Sequence, residues 1–319
     1  PRHEVMRHLI PDRLALIVSR QSNASNWANV HIATGVVDHC LVSNRTSEIG
    51  SVFPLWLYPR EQADLLDDAP REKADLLDEA PREKTANLAP EFVAALSEAV
   101  GHEPTPEDTL AYIYALLYAP SYRQRYADFL KRDFPRVPLT TDRKLFAKLV
   151  ETGRELIALH TMQTALPSIT GFPVAGTNQV GKVRFALPSP GGRGVGGEGP
   201  ESAQHSKSAE PSSDSSACLP PKGEGTPPQP SPARGGSEGG GRVYINAEQY
   251  FEGVPQAVWD LHIGGYRVAE KWLKDRKDRA LSYDDLTHYQ NVVAALARTL
   301  ELQSELDAAI EKAGGWPIT

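Results

Sequence analysis

The sequence predicts an α+β fold, and three observations predict it. Short apolar runs of strand length fill residues 1–59, apolar residues at helical spacing fill 90–163 and 246–319, and a low-complexity stretch at 187–241 separates two blocks of one character. Those blocks are Tyr112–Leu139 (YIYALLYAPSYRQRYADFLKRDFPRVPL) and Gly241–Arg279 (GRVYINAEQYFEGVPQAVWDLHIGGYRVAEKWLKDRKDR), both dense in aromatics and cations. Their likeness marks one interrupted fold rather than two folds. The parts are a β-rich 1–59, an acidic connector 60–104, a helical aromatic-basic half 105–186, the low-complexity 187–241, and a second half 242–319 with an aromatic-basic helix and a long C-terminal helix.

In the first part, Leu14–Val18 (LALIV), Val30–Ile32, Val36–Val42 (VVDHCLV) and Val52–Tyr58 (VFPLWLY) read as strands. Pro54 cannot donate to a ladder, so the last of them is expected at an edge or broken. Polar loops at Ser19–Asn26 and Ser43–Gly50 separate the runs. The connector holds a direct repeat, EQADLLDDAPR at 61–71 and EKADLLDEAPR at 72–82. Pro70 and Pro81 interrupt any helix there, and two copies do not make a solenoid. A tandem duplication in a surface connector accounts for it.

The helical half begins at Thr105-Pro106-Glu107-Asp108: Thr as N-cap, Pro in the first turn, acids beside the helix dipole. That helix is expected to run to Ala119 and stop at Pro120. Ser121 opens a second helix to about Asp133, and Thr141 a third to about Met162. Residues 187–241 contain 13 of the 25 Gly and 10 of the 26 Pro, too little apolar surface to offset the entropy of ordering, so disorder is expected. The two ends of the stretch are alike, SPGGRGVGGEG at 189–199 and SPARGGSEGGG at 231–241, as in inserted repetitive sequence. Without it Lys182–Ala186 (KVRFA) meets Arg242–Ile245 (RVYI), two alternating strands suited to a hairpin. A long loop between them costs little, because closure entropy grows slowly with length.

In the last part Asn246 and Gln249 are expected to cap a short helix. After Gly264-Gly265, Val268, Ala269, Trp272 and Leu273 form one helix face, and Arg267, Lys271 and Lys274 share another. Ser282 and Asp285 make a capping box with Leu281 and Leu286 as a staple, opening a helix from Tyr283 to about Lys312, ~45 Å long. Leu286, Tyr289, Val293, Leu296 and Leu300 alternate by three and four along it, a coiled-coil-like seam.

Composition narrows the function. The 319 residues are 40% hydrophobic and 24% charged, a globular balance sufficient for one large or two ordinary domains. No apolar run approaches membrane-spanning length, and PRHEVMRHLIPDR is not a signal peptide. A chain that opens on Pro1 is expected to be trimmed or the tail of a longer polypeptide. Cys40 and Cys218 lack paired spacing, which suits a reducing cytoplasm and argues against a structural zinc. Net charge is −7, but residues 60–110 alone hold 14 acids and 5 bases, a net of −9 that leaves about +2 for the remainder. The bases concentrate in the aromatic blocks, with 8 bases against 3 acids at 121–148 and 6 against 3 at 266–279.

Catalytic motifs are largely absent. Gly176–Val183 (GTNQVGKV) nearly matches a phosphate loop, but Val183 stands where a Ser or Thr should ligate magnesium, and a strand pattern follows instead of a helix. Pro11-Asp12 with Asp142-x-Lys144 or Asp275-x-Lys277 is too widely separated for a magnesium nuclease. No Asn/Asp-Pro-Pro-aromatic tetrad holds an exocyclic amine for methyl transfer, and the nine histidines show no ligand spacing. Binding chemistry remains. Arg and Lys neutralise phosphates, while Arg, Asn and Gln read base edges. Arg20 and Gln21 follow a strand directly, and Asn44 and Arg45 sit in a polar loop. Arg123, Arg125, Lys131 and Arg132 lie among tyrosines, and Arg267, Lys271 and Lys274 line the later helix. Plain turns and solvated helix faces are the alternatives for these positions.

The blocks SNRTSEIGSVFPLWLYP, YIYALLYAPSYRQRYADFLKRDFPRVPL and Gly241–Arg279 together resemble the C-terminal specificity region of type ISP restriction–modification enzymes, over roughly 1–59, 105–186 and 241–312. The acidic repeat and the Gly/Pro stretch depart from that pattern as insertions. The resemblance implies an α+β recognition domain with packed helices, and the similar lengths expected for the helices Thr141–Met162 and Tyr283–Lys312 suit them to an antiparallel pair. It implies that the chain reads an asymmetric site on double-stranded DNA, without a catalytic centre of its own, in the bacterial cytoplasm. Its partners would be upstream methyltransferase and helicase–nuclease domains, and S-adenosylmethionine, ATP and Mg would be needed only there. A helical scaffold that binds a partner chain through the coiled-coil-like seam is the alternative.

Overall fold

The computed structural model of the chain describes residues 3–10, 13–22, 27–38, 41–43, 48–59, 84–188 and 240–318. The tandem repeat at 61–82, the stretch from 189 to 239, Pro11-Asp12, and both Asn44 and Arg45 lie outside the described residues. A short helix α1 (His3–Met6) precedes a three-stranded antiparallel sheet of order β2-β1-β3, with β1 at Leu14–Ser19, β2 at Val30–Thr34 and β3 at Gly50–Pro54. Leu16 sits opposite Ile32 on one side and Phe53 on the other. Pro54 ends β3 at the sheet edge, and β4 (Trp56–Leu57) resumes after Leu55 to pair with β5 (Thr85–Ala86), as a strand broken at proline should. The strand expected at Val36–Val42 is not formed by the residues described there. Gly35, at φ +92°, turns the chain out of β2, and Val36 is exposed.

Helices α2 (Pro90–Val100), α3 (Pro106–Tyr118), α4 (Pro120–Arg125), α5 (Ala127–Leu130) and α6 (Arg143–His160) follow. Thr105 caps α3, its hydroxyl accepting from the Asp108 N–H at 3.1 Å. The α6 cap is Asp142 rather than Thr141, because its carboxylate accepts from the Lys144 and Leu145 amides. Two hydrophobic cores result. The first gathers Trp27, Val30 and Ile32 of the N-terminal part around a nearly all-round buried α3, with α6 on its flank. There the α6 backbone at Gly153 lies against the Ala111 carbonyl of α3.

The second core belongs to the other half. β6 (Arg184–Ala186) pairs with β7 (Gly241–Tyr244) in the expected hairpin, Phe185 opposite Val243, and β8 (Tyr250–Val254) adds a third strand. The short helix expected at Asn246–Gln249 is instead the turn into β8. The Asn246 side-chain oxygen Oδ1 accepts from the Glu248 and Gln249 amides at 3.0 and 2.7 Å, a turn that mimics a helix cap. α7 (Gln256–Trp259), the pair β9 (His262–Ile263) and β10 (Tyr266–Arg267), α8 (Val268–Lys274) and α9 (Tyr283–Lys312) complete the order.

The α9 capping box is present, Ser282 and Asp285 each accepting from the other's backbone. This helix is the spine of the molecule. Leu286, Tyr289, Val293 and Leu296 enter the second core, while Leu302, Leu306 and Ile310 enter the first. The coiled-coil-like seam is thus spent inside the chain. α6 and α9 pack antiparallel, with Arg298 on Glu155 at 2.7 Å and Lys148 on Glu305 at 3.5 Å. They differ in length, 18 residues against 30, because α9 alone serves both cores.

Candidate nucleic-acid interface

β1 delivers the chain to the surface at Arg20 and Gln21, both exposed. Two contacts then tie this exit to the turn after α5. The Ser22 amide donates to the Lys131 carbonyl at 3.2 Å, and Arg20 Nε donates to Asp133 Oδ1 at 3.3 Å, across 113 residues of sequence. The Phe134 N–H, and then Arg20, hold the Asp133 carboxyl below its ordinary range. Lys131 pairs with Asp128 at 3.4 Å. Arg125 and Arg132 are exposed and carry no ion pair among the described residues. Phe129 stands among them 65% exposed, and Phe134 lies edge-on to Phe53 at 5.7 Å. Five exposed cations (Arg20, Arg125, Lys131, Arg132, Arg136) and two exposed carboxylates (Asp128, Asp133) thus gather at the β1 exit and along α4, α5 and the turn that follows.

Arg123 does not join them. Its Nε donates to the Leu117 carbonyl at 2.6 Å, and its guanidinium lies 4.7 Å from the Tyr118 ring centroid and 5.9 Å from that of Trp27. Burial lowers its pKa, opposed by Tyr118, Tyr114 and Asp307. The side chain braces α4 against the first core, so its expected role at a DNA surface is corrected to an internal one.

Sequence reasoning missed the polar cluster beneath it. Tyr114 Oη lies 2.7 Å from His160 Nδ1, and His160 Nε2 lies 2.9 Å from Thr299 Oγ1. The Thr299 hydroxyl already donates to the Ala295 carbonyl at 2.8 Å, so it accepts from His160. The proton therefore sits on Nε2, and Nδ1 accepts from tyrosine. Burial pushes His160 down to about 3 and His31 down to about 4, with Arg123 adding to both, so both rings are neutral at ordinary pH. These histidines are packing groups, and no sequence spacing announces them.

The second block presents paired cations. Arg267 lies 3.8 Å from Asp260, Lys271 binds Asp275, and Lys274 lies 2.8 Å from Glu270. Lys271 also stands 5.1 Å from the Tyr266 ring and lines a cleft of about 400 Å³ between the two cores, with Tyr118, His160 and Trp272. The β9–β10 turn docks on the N-terminal part, the Gly264 amide donating to Ala28 and the Gly265 amide to Val42, each at 2.9 Å. A side chain at Gly264 would meet the Val42 carbonyl at 2.6 Å, and its φ is +59°, so glycine is required twice over. Ser43 packs against Gly265, beside the hairpin carrying Arg267. The N-terminal sheet thus bridges both basic blocks.

The phosphate-loop-like segment is a turn within the chain. The Asn178 amide donates to the Gln249 side chain at 2.8 Å, and the Val180 and Gly181 amides donate to Arg279 and Ile245 at 2.9 and 2.7 Å. Asp142 and Asp275 are likewise engaged, in a helix cap and an ion pair. No cluster of three or more His, Cys, Asp or Glu side chains able to hold a metal occurs among the described residues. No helix among them is long and apolar enough to cross a membrane.

A family model described as the Type ISP C-terminal specificity domain matches residues 1–305. The fold is similar to that of the ATP-dependent Type ISP restriction-modification enzyme LlaBIII bound to DNA, at 16% identity and TM-score 0.58, over 93% of this chain and 16% of that one. It is similar to a nuclease-deletion mutant of the Type ISP restriction-modification enzyme LlaGI in complex with a DNA substrate mimic, at 17% identity and TM-score 0.50, over 93% of this chain and 21% of that one. A DrdV–DNA complex matches at 16% identity and TM-score 0.52, over 97% of this chain and 25% of that one. The chain thus spans a quarter or less of the length of each of these structures. No curated protein sequence matches it.

Proposed function

The chain belongs to the family of Type ISP C-terminal specificity domains, and from that premise we propose that it reads a target on duplex DNA for catalytic domains carried elsewhere in its parent polypeptide. Those partner domains would supply methyl transfer, the ATP-driven motor and cleavage, and would hold S-adenosylmethionine, ATP and Mg. This chain would contribute no catalytic centre, and its work would lie in the bacterial cytoplasm.

The observation that carries the reading is the joining of the β1 exit to the α5 turn. It sets Arg20, Arg125, Lys131 and Arg132 around one exposed surface, although Arg20 and Asp133 are 113 residues apart in sequence. Four cations there would neutralise phosphates, and Gln21 beside them has the paired donor and acceptor that read an adenine edge. Arg267, Lys271 and Lys274 extend the footprint from the second block. Like Arg20 and Lys131, each must exchange its acidic partner for phosphate, so these contribute less per cation than Arg125 and Arg132. The scaffold alternative is disfavoured by one fact: its seam residues are buried in the second core.

The test is binding of the chain to duplexes of random sequence at two salt concentrations. Four phosphates engaged predict a slope of log affinity on log salt of about −3.6. Absence of binding at low salt, for the chain and for its parent polypeptide alike, would refute the proposal.

A further inference from the structure

We propose that Phe129 is an apolar wedge that stacks against the bases of the bound duplex; this rests on the DNA-binding reading above. Phe129 is the most exposed large apolar side chain among the described residues, at 65%. The fold does not account for that exposure, because the neighbouring Leu130 is the residue of α5 that enters the first core.

The backbone states what surrounds the ring. The Arg132 and Asp133 amides both donate to the Phe129 carbonyl, at 2.9 and 3.0 Å, so one hydrogen-bonded turn after α5 keeps these residues close to the ring. Asp133 in turn holds Arg20, and Arg125 lies one turn earlier. The turn that carries the ring therefore also carries Arg132, and through Asp133 it holds Arg20 from a distant segment. A surface built for an apolar protein partner would be bordered by further apolar side chains, whereas the residues next to Phe129 along the exposed chain are charged, Asp128, Lys131, Arg132 and Asp133. That arrangement suits a polyanion with flat bases beneath its phosphates. The platform is also held in advance. Leu130 is buried, the Lys131 carbonyl accepts from Ser22, and Arg20 is clasped by Asp133, so little ordering is needed when DNA arrives.

The experiment uses the full 319-residue chain and the duplexes it retains from a random pool. Phe129→Ala is expected to weaken binding about tenfold, as loss of one stacked base does. The salt slope should stay unchanged, because no charge is removed. Phe129→Trp should retain most of the affinity, and the melting temperature of each variant should match the wild type. Equal binding by Phe129→Ala and wild type would overturn the proposal and leave the DNA-binding reading standing. A fall in melting temperature for Phe129→Ala would assign the ring to the fold and overturn it as well. If neither the wild-type chain nor its parent polypeptide binds duplex, both readings fail together.

Discussion

Gly153→Ala should destabilise the protein, against the ordinary sign of that change. In an unobstructed helix interior, alanine for glycine stabilises by about 0.5–1 kcal/mol through backbone entropy. At Gly153 the added Cβ would lie 2.0 Å from the Ala111 carbonyl oxygen, 2.6 Å from its carbon and 3.0 Å from its Cα. Carbon atoms pack best at about 3.5–4.0 Å, so α3 and α6 would have to part by roughly 1 Å or more. The obstruction is backbone, so no rotamer change relieves it, and the buried Tyr114, Leu117, Leu149 and Leu156 of the two helices would lose contact as they part. Overpacking of this kind costs about 1–3 kcal/mol, and with the propensity gain set against it the net loss is about 1–2 kcal/mol. For a chain of this size that lowers the melting temperature by about 2–8 °C. Thermal and urea denaturation, followed by circular dichroism and tryptophan fluorescence, would measure it. A midpoint that is unchanged or raised would refute the close crossing. Adding Ala111→Gly should not rescue the variant, because the clash is with the carbonyl and not the methyl.

Four further outcomes are expected. Acid should destabilise the fold through His31 and His160, whose pKa values are lowered from 6.5 to about 4 and about 3. Their contribution is complete above pH 6.5 and declines as pH falls toward those values, because the unfolded chain takes up protons first. At pH 5 the loss reaches up to roughly 4 kcal/mol from the pair, and equal urea midpoints at pH 7 and 5 would contradict it. Arg132→Gln should reduce the salt slope of DNA binding by about 0.9 without altering stability. Arg123→Gln should do the opposite, costing about 1–3 kcal/mol by stranding the Leu117 carbonyl and leaving the slope alone; a reversed pattern would mean that the two side chains face the other way. Joining Pro188 directly to Gly240 should leave the melting temperature unchanged, since β6 and β7 are already paired as a hairpin, and a marked fall would show that the excised residues pack.

What sequence reasoning reached depended on how local the physics was. Thr105 and the Ser282–Asp285 box start their helices where their side chains reach the first amides, and the β6–β7 hairpin follows from strand alternation on either side of the stretch at 187–241. Asn246 and Gln249 were ambiguous for the same reason. A side chain that caps a turn makes the bonds that cap a helix, and only the strand after it decides between them. The apolar seam of α9 was visible as a pattern, while its occupant was not. A stripe at that spacing is filled equally well by a partner chain or by the chain's own sheet, and here it is the sheet.

The sequence by itself determined the class of fold, the helix starts at Thr105 and Ser282, the β6–β7 hairpin and the family, because caps, periodicity and residue blocks are properties of neighbours along the chain. Tertiary structure decided which cations are available. Arg123 and Arg125 lie two residues apart on one helix, yet one faces Tyr118 and the other faces solvent, since successive side chains point around the helix and the packed partner selects the inner side. It also decided that Arg20 and Asp133 meet across 113 residues. That contact depends on how the N-terminal sheet docks against α3 and α6, and it makes one surface out of two segments that are separate in the sequence.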